Sequence, residues 1–308
     1  MKVVFIGTPD FSVPSLRAIH ESKHEVVGII TAPDRKAGRG MKLQVSPVKS
    51  FGVANKIPVL QPTNLKNADF QSELRALQAD IQVVIAFRML PEAVWNMPPK
   101  GSINLHASLL PDYRGAAPIN WAIINGEEVT GLTTFQLVHE IDEGGILMQK
   151  EVEILPEDNA GSLYERLMYL GAPLVLETLD GLESGTLIAM AQNPNAQHHQ
   201  APKIFKSDCD IDWNQSAKDV HNFIRGMSPY PVARTVIKDE KTGKNVFLKI
   251  YSSAYNIEPH SVLPGTFEDI NKGQFRIACS DGWLEVLEVQ LEGKKRMTSA
   301  EYMNGFKR

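Results

Sequence analysis

The chain has 308 residues, 43% of them hydrophobic and 22% charged, with a formal net charge of −4. That length suits more than one folding unit, and the balance is that of an ordinary globular protein; the acidic net charge excludes indiscriminate nucleic-acid binding, and no apolar run approaches a signal-peptide core or a membrane span. Two cysteines, Cys209 and Cys279, exclude a disulfide framework or a cysteine-rich zinc site and point to a reducing, cytoplasmic setting.

Through the first half, short β-branched runs alternate with helical patterns. KVVFIG (2–7), EVVGIITA (25–32), IQVVIAF (81–87) and SINLHA (102–107) read as strands, with a shorter one near Pro58–Gln61. They are apolar on both faces, as parallel strands covered by helices are. FSVPSLRAIHES (11–22) and DFQSELRALQA (69–79) carry apolar residues at helical spacing. The β-α-β alternation predicts an α/β, doubly wound, Rossmann-like domain over 1–189. LTTFQLV (132–138) and ILMQKEVEI (146–154) read as two later strands enclosing HEIDEGG. A helix then follows with Leu163, Leu167, Leu170 and Leu174 on one stripe, which Pro173 is expected to kink or split.

Residues 190–203, MAQNPNAQHHQAPK, are polar and without periodicity, and read as an interdomain linker. Beyond them SAKDVHNFIRGM (216–227) reads as a helix. ARTVI, NVFLKIYSSAY, GTFED, QFRIACS and GWLEVLEVQ read as strands separated by hairpin-turn compositions. A small C-terminal β-barrel over 204–308 is expected. Net charge changes sign between the two parts, from −6 over 1–202 to +2 over 203–308.

The first βα turn is Gly7-Thr8-Pro9-Asp10-Phe11, without the G-x-G-x-x-G fingerprint, and Pro9 lacks a backbone donor where a pyrophosphate needs one. Nicotinamide and nucleoside-triphosphate chemistry are therefore disfavoured. Doubly wound domains place ligands at the carboxyl ends of their strands, and Asn104 and His106 stand at such an end, two apart and so on one face. A lone strand histidine is most often a satisfied core residue. An amide beside it, with a chain break immediately after, favours a pair that stabilises the oxyanion formed when a nucleophile adds to a carbonyl. Asp142, in a turn composition, is either a turn cap or a carboxylate that orients His106 and accepts a proton. No serine or cysteine has the setting of a nucleophile, which points to direct group transfer, and no histidine has spaced metal-ligating partners. RKAGRGMKLQVSPVK (35–49) holds five basic residues and no acidic one; by itself such a run is as readily a solvated surface as a binding loop.

VVFIGTPDF (3–11), NLHASLLPDYRGAAPINWAI (104–123) and IDEGG (141–145) together resemble the folate-dependent formyltransferases, and the resemblance extends from residue 1 to the C-terminus. It implies a Rossmann-like formyltransferase domain followed by an OB-like barrel that contacts tRNA. The implied donor is 10-formyltetrahydrofolate, with no metal. Asn104 and His106 would stabilise the tetrahedral oxyanion, and Asp142 would hold the histidine and help deprotonate the amine. Ser108, Leu109, Leu110 and Pro111 match the folate-binding segment. The stretch from Thr31 to Pro62 resembles the branch whose acceptor is the methionine α-amino group of initiator methionyl-tRNA, for translation initiation. There Arg39 matches the position reaching into the acceptor stem, with Arg35, Lys36 and Lys42 as supporting phosphate contacts. The nearest alternative in the family acts on a nucleotide-linked amino sugar, which has no use for a basic loop. Arg88 and Asp112 depart from the commonest pattern of the family. No heptad or large apolar stripe calls for an obligate partner, so a monomer is expected.

Overall fold

A computed structural model describes residues 1–37, 42–193, 198–238, 243–271 and 273–306. Contacts divide the chain into two compact units: 1–114 with 130–152 and 164–200, and 115–129 with 153–163 and 201–308.

The first unit is built on a seven-stranded sheet. Its elements in chain order are β1 (Lys2–Gly7), α1 (Val13–His20), β2 (Glu25–Ile30), a short ladder of β3 (Arg35–Ala37) and β4 (Lys42–Gln44), α2 (Pro47–Ala54), β5 (Val59–Leu60), α3 (Ala68–Ala76), β6 (Ile81–Ile85), α4 (Glu92–Trp95) and β7 (Ser102–His106). After the two-residue β8 (Arg114–Gly115) and α5 (Pro118–Ile124) come β9 (Val129–Gln136), β10 (Ile146–Glu153) and α6 (Ala160–Ser184). Sheet order is β10-β9-β7-β6-β1-β2-β5. β1 runs parallel to β2 and β6, and β6 parallel to β7, whereas β7 and β9 are antiparallel.

Val3, Val4, Phe5 and Ile6 are all fully buried, so β1 is covered on both faces and lies at the centre of the core. Side chains of this size contribute about 1.5–3 kcal/mol each when fully buried. Beyond Gly7 the chain makes a 3₁₀ turn at Asp10–Ser12 before α1, and the Ser12 hydroxyl donates to the Ile85 carbonyl at 2.8 Å. The βα turn is thereby tied to β6.

α6 runs unbroken through Pro173 instead of splitting there. Leu163, Leu167, Leu174, Val175 and Leu179 are buried, and that stripe outweighs the one hydrogen bond lost. The carbonyl left without its N–H partner belongs to Tyr169, which is 66% exposed, so water can serve it.

The second unit takes α5 from the middle of the chain. Its later elements are the short β11 (Gln200–Ala201, which begins one residue before the unit does), α7 (Ala217–Met227), β12 (Ala233–Lys238), β13 (Asn245–Asn256), β14 (Phe267–Asn271), β15 (Gln274–Ala278), β16 (Trp283–Leu291), β17 (Met297–Thr298) and α8 (Ser299–Phe306). β12-β13-β16-β15-β14 form an antiparallel sheet, with β17 added to β16, in keeping with the expected small barrel. Val220, Ile224 and Met227 of α7 pack with Leu248, Ile250, Leu284 and Val286 in its core.

Candidate active site

β7 carries Ser102, Asn104 and His106 on one face and Ile103 and Leu105 on the other, following the two-residue period of a strand. Leu105 packs on α6 at Gly171, where a Cβ would stand 2.6 Å from its Cδ2. On the polar face the Ser102 hydroxyl donates to the Trp95 carbonyl at 2.6 Å and is part of the fold. Asn104 is different: its Oδ1 is enclosed yet has no hydrogen-bond partner, the one side-chain amide oxygen so placed among the described residues. Leaving such a group unsatisfied costs about 1–3 kcal/mol, and a native structure keeps one for a reason other than folding.

His106, at the end of β7, is 6% exposed and packs edge-on to Phe135, ring centroids 6.4 Å apart. Its Nε2 lies 2.9 Å from the Tyr113 carbonyl. A carbonyl only accepts, so Nε2 carries a hydrogen and donates. The other nitrogen, Nδ1, is 3.8 Å from Asp142 Oδ2. That separation exceeds a hydrogen bond and suits an ion pair with the imidazolium. The imidazole therefore sits between a backbone carbonyl and a carboxylate.

Both partners stand on unusual backbone. Tyr113 has φ 59° and Asp142 φ 56°, left-handed values uncommon outside glycine. Such positions cluster at functional sites. Next to Asp142, Gly144 is required by space, since a Cβ there would lie 1.6 Å from the Gln136 carbonyl oxygen. The turn is held from the far side by Gln192, whose amide donates to the carbonyls of Asp142 and Gly144, each at 2.8 Å. Arg114, 9% exposed, donates to Gln192 Oε1 from Nη2 at 2.6 Å and to Glu143 Oε1 from Nη1 at 3.0 Å.

Ser108, Leu109, Leu110 and Pro111 follow directly. The Ser108 hydroxyl donates to the Asp112 carbonyl at 2.5 Å, and its own carbonyl accepts from Thr133 Oγ1 at 2.7 Å. Thr133 Oγ1 also accepts from the Leu110 amide, and Gln149 donates to the Leu110 carbonyl. The segment is pinned to β9 and β10, so its shape is set by the fold. Asp112 accepts from the His199 amide at 3.0 Å, giving that departure from the family pattern an internal partner.

In the basic stretch Arg35 pairs with Gln44, Lys36 with Leu43 and Ala37 with Lys42, so Arg35, Lys36 and Lys42 stand on a two-stranded ladder. Arg35 is exposed; Arg39 lies outside the described residues. Lys49, the last of the five basic residues, is spent within the fold on Asp34 at 2.5 Å. Hydrogen bonds from Lys49 and then Gln61 hold the Asp34 carboxyl below the usual carboxylate range. The root of the loop is thus fixed. Beside it opens a cavity of about 620 Å³ lined in part by Thr8, Pro9, Arg35, Ser46, Ala86 and Arg88; Asn104, His106 and Asp142 do not line it. Arg88 donates to the carbonyls of Pro62 and Thr63.

The two cysteines are free and buried. Burial pushes the Cys279 thiol up to about 12 and raises that of Cys209. His24, Asp180 and Glu183 come close enough to share a cation, but both carboxylates already pair with Lys23. Sequence reasoning did not single out Gln192, Thr133 or Arg114. Arg114 stands between Tyr113 and Gly115, and Thr133 is a polar residue inside an apolar strand. Gln192 gives no local signal.

The formyl transferase family matches residues 1–179, and the formyl transferase C-terminal domain matches 203–307. The chain belongs to the formyl transferase family. Curated relatives named methionyl-tRNA formyltransferase include one from Parabacteroides distasonis, 50% identical and covering 100% of this chain and 96% of its own length. One from Bacteroides fragilis is 48% identical, covering 99% and 95%. Among solved structures, HypX from Aquifex aeolicus in complex with tetrahydrofolic acid has a TM-score of 0.64 at 19% identity, over 99% of this chain and 47% of that one. The N-formyltransferase from Helicobacter canadensis, in complex with folinic acid and dTDP-3-aminofucose, has a TM-score of 0.66 at 21% identity, over 94% and 99%. These two share the fold.

Proposed function

We propose that the protein transfers the formyl group of 10-formyltetrahydrofolate to the α-amino group of methionine on initiator tRNA. The observation that carries the reaction is Asn104 and His106 on one face of a strand end, with Asp142 beside the imidazole. The choice of acceptor rests on full-length relatives at about half identity, against amino-sugar enzymes alike in fold alone.

10-Formyltetrahydrofolate supplies an electrophilic formyl carbon on a nitrogen leaving group. As the amine adds, negative charge develops on the formyl oxygen, and the chain meets it with pre-positioned donors. Asn104 gives an amide N–H. His106 has Nε2–H engaged on Tyr113, so it gives its second hydrogen from Nδ1, as imidazolium. Asp142 is the counter-charge to that ring and the acceptor for the proton the amine gives up; as the bond from the formyl carbon to the folate nitrogen breaks, that proton passes to the departing nitrogen. Ser108 to Pro111 shape the folate side of the site. Arg39 reaches into the acceptor stem, with Arg35, Lys36 and Lys42 as supporting phosphate contacts, and residues 204–308 add further backbone contacts to the tRNA. The protein works as a cytoplasmic monomer.

The test is direct. Incubation with 10-formyltetrahydrofolate and methionine-charged initiator tRNA, followed by mass analysis of the released amino acid, is expected to give N-formylmethionine. No such product, alongside formylation of a nucleotide-linked amino sugar, overturns the reading.

A further inference from the structure

The two groups that bracket the His106 imidazole come from different parts of the chain. The Tyr113 carbonyl takes Nε2–H, and the Asp142 carboxylate faces Nδ1. The turn bearing Asp142 is fixed on its far side by the sheet: the Gln136 amide donates to the Gly145 carbonyl at 3.0 Å, and Ile146 and Met190 exchange two backbone hydrogen bonds of 2.8 Å. That bridge sets the register of the segment carrying Gln192. Two residues on, the Gln192 amide grips the carbonyls on either side of Glu143, while Arg114 holds both Gln192 and the Glu143 carboxylate. Arg114 immediately follows Tyr113.

We propose that Arg114 and Gln192 are positioning residues that lock the Tyr113 carbonyl and the Asp142 carboxylate at a fixed span across His106. This deepens the formyl-transfer reading and rests on it. Left-handed backbone at Tyr113 and Asp142 costs free energy, so neither holds its place by local preference. Gln192 uses both ends of its amide: the NH₂ donates twice to the turn, and Oε1 accepts from Arg114. No other neutral side chain of that reach supplies both functions. Release of the clamp lets the carboxylate drift relative to Nδ1, and a displacement of about 1 Å in such a constellation costs roughly 100-fold in rate.

Two variants separate the roles of the amide. Gln192→Leu removes both functions, and Gln192→Glu keeps an acceptor for Arg114 but loses the donors to the turn. Both are expected to lower kcat about 10- to 100-fold with KM for folate and tRNA little changed, and Arg114→Lys is expected to retain more activity than Arg114→Gln. The second readout needs no substrate: the His106 ring, followed by NMR through a pH titration, is expected to titrate at a displaced midpoint in both Gln192 variants. An unmoved midpoint in a variant that melts as a folded protein overturns the clamp, whatever the turnover. Displaced midpoints in the Gln192 variants, alongside a wild-type protein that makes no N-formylmethionine, leave the clamp standing and sink the function instead.

Discussion

Asn104 and His106 stand two residues apart, yet the fold asks different things of them. His106 already donates to Tyr113, so replacing it disturbs packing and chemistry together. Asn104 holds an enclosed oxygen with no partner, so the fold loses little when it goes. Asn104→Leu is therefore expected to leave the melting temperature unchanged or raised while turnover falls about 100- to 1000-fold, the cost of one oxyanion donor. A melting curve and a single-turnover rate on one preparation decide it; a destabilised, active variant overturns the assignment. At this scale the sequence was informative where polarity broke a pattern. Asn104 and His106 are conspicuous because a buried strand should not carry them, and Asp142 because its turn composition sits between two strands. Gln192 is polar in a polar stretch, and only its hydrogen bonds distinguish it.

Elements were legible in proportion to their length and regularity. β1, β6 and β7 announce themselves as apolar runs, and α7 as a capped amphipathic stretch whose Ser216 side chain accepts from the Asp219 amide. α5 and α8 span seven and eight residues, barely two turns, too short for a periodic signal. The β3–β4 ladder hides in a charged stretch because pairing, not composition, defines it. Pro173 shows how a local rule yields to packing. Its ring is on the exposed side of α6, and the burial of Leu174 and Val175 continues the helix past it. Pro173→Ala restores a donor to the Tyr169 carbonyl at no cost in buried area. Stabilisation of about 1–3 kcal/mol is expected, read from denaturant midpoints at unchanged slope.

For the molecule as a whole, segments 115–129 and 153–163 cluster with the C-terminal unit, a property that no local stretch of sequence carries. That unit holds a half-buried titrating group. Burial, and then the charge of Arg225, lowers the His221 imidazole to about 4, with its Nδ1 3.0 Å from Ser253 Oγ. The unfolded chain takes up this proton near pH 6.5 and the folded one only near 4. Stability from His221 is accordingly full above about pH 6.5 and is lost as pH falls toward 4, at no more than about 1.4 kcal/mol per pH unit. His221→Gln is expected to flatten the stability–pH curve in that window; an unchanged slope in urea midpoints measured from pH 7 to pH 4 counts against it.

The left-handed backbone at Asp142 makes this position a filter that ranks substitutions by shape as well as charge. Asparagine copies the outline and tolerates that backbone, glycine tolerates it with no side chain, and glutamate keeps the charge but disfavours the conformation. Asp142→Asn is expected to fold as well as the parent and lose most turnover, whereas Asp142→Glu, nominally the conservative change, is expected to lose both stability and rate. A library at this codon, sorted once for folded protein and once for activity, should return two different sets of residues, with aspartate alone in both.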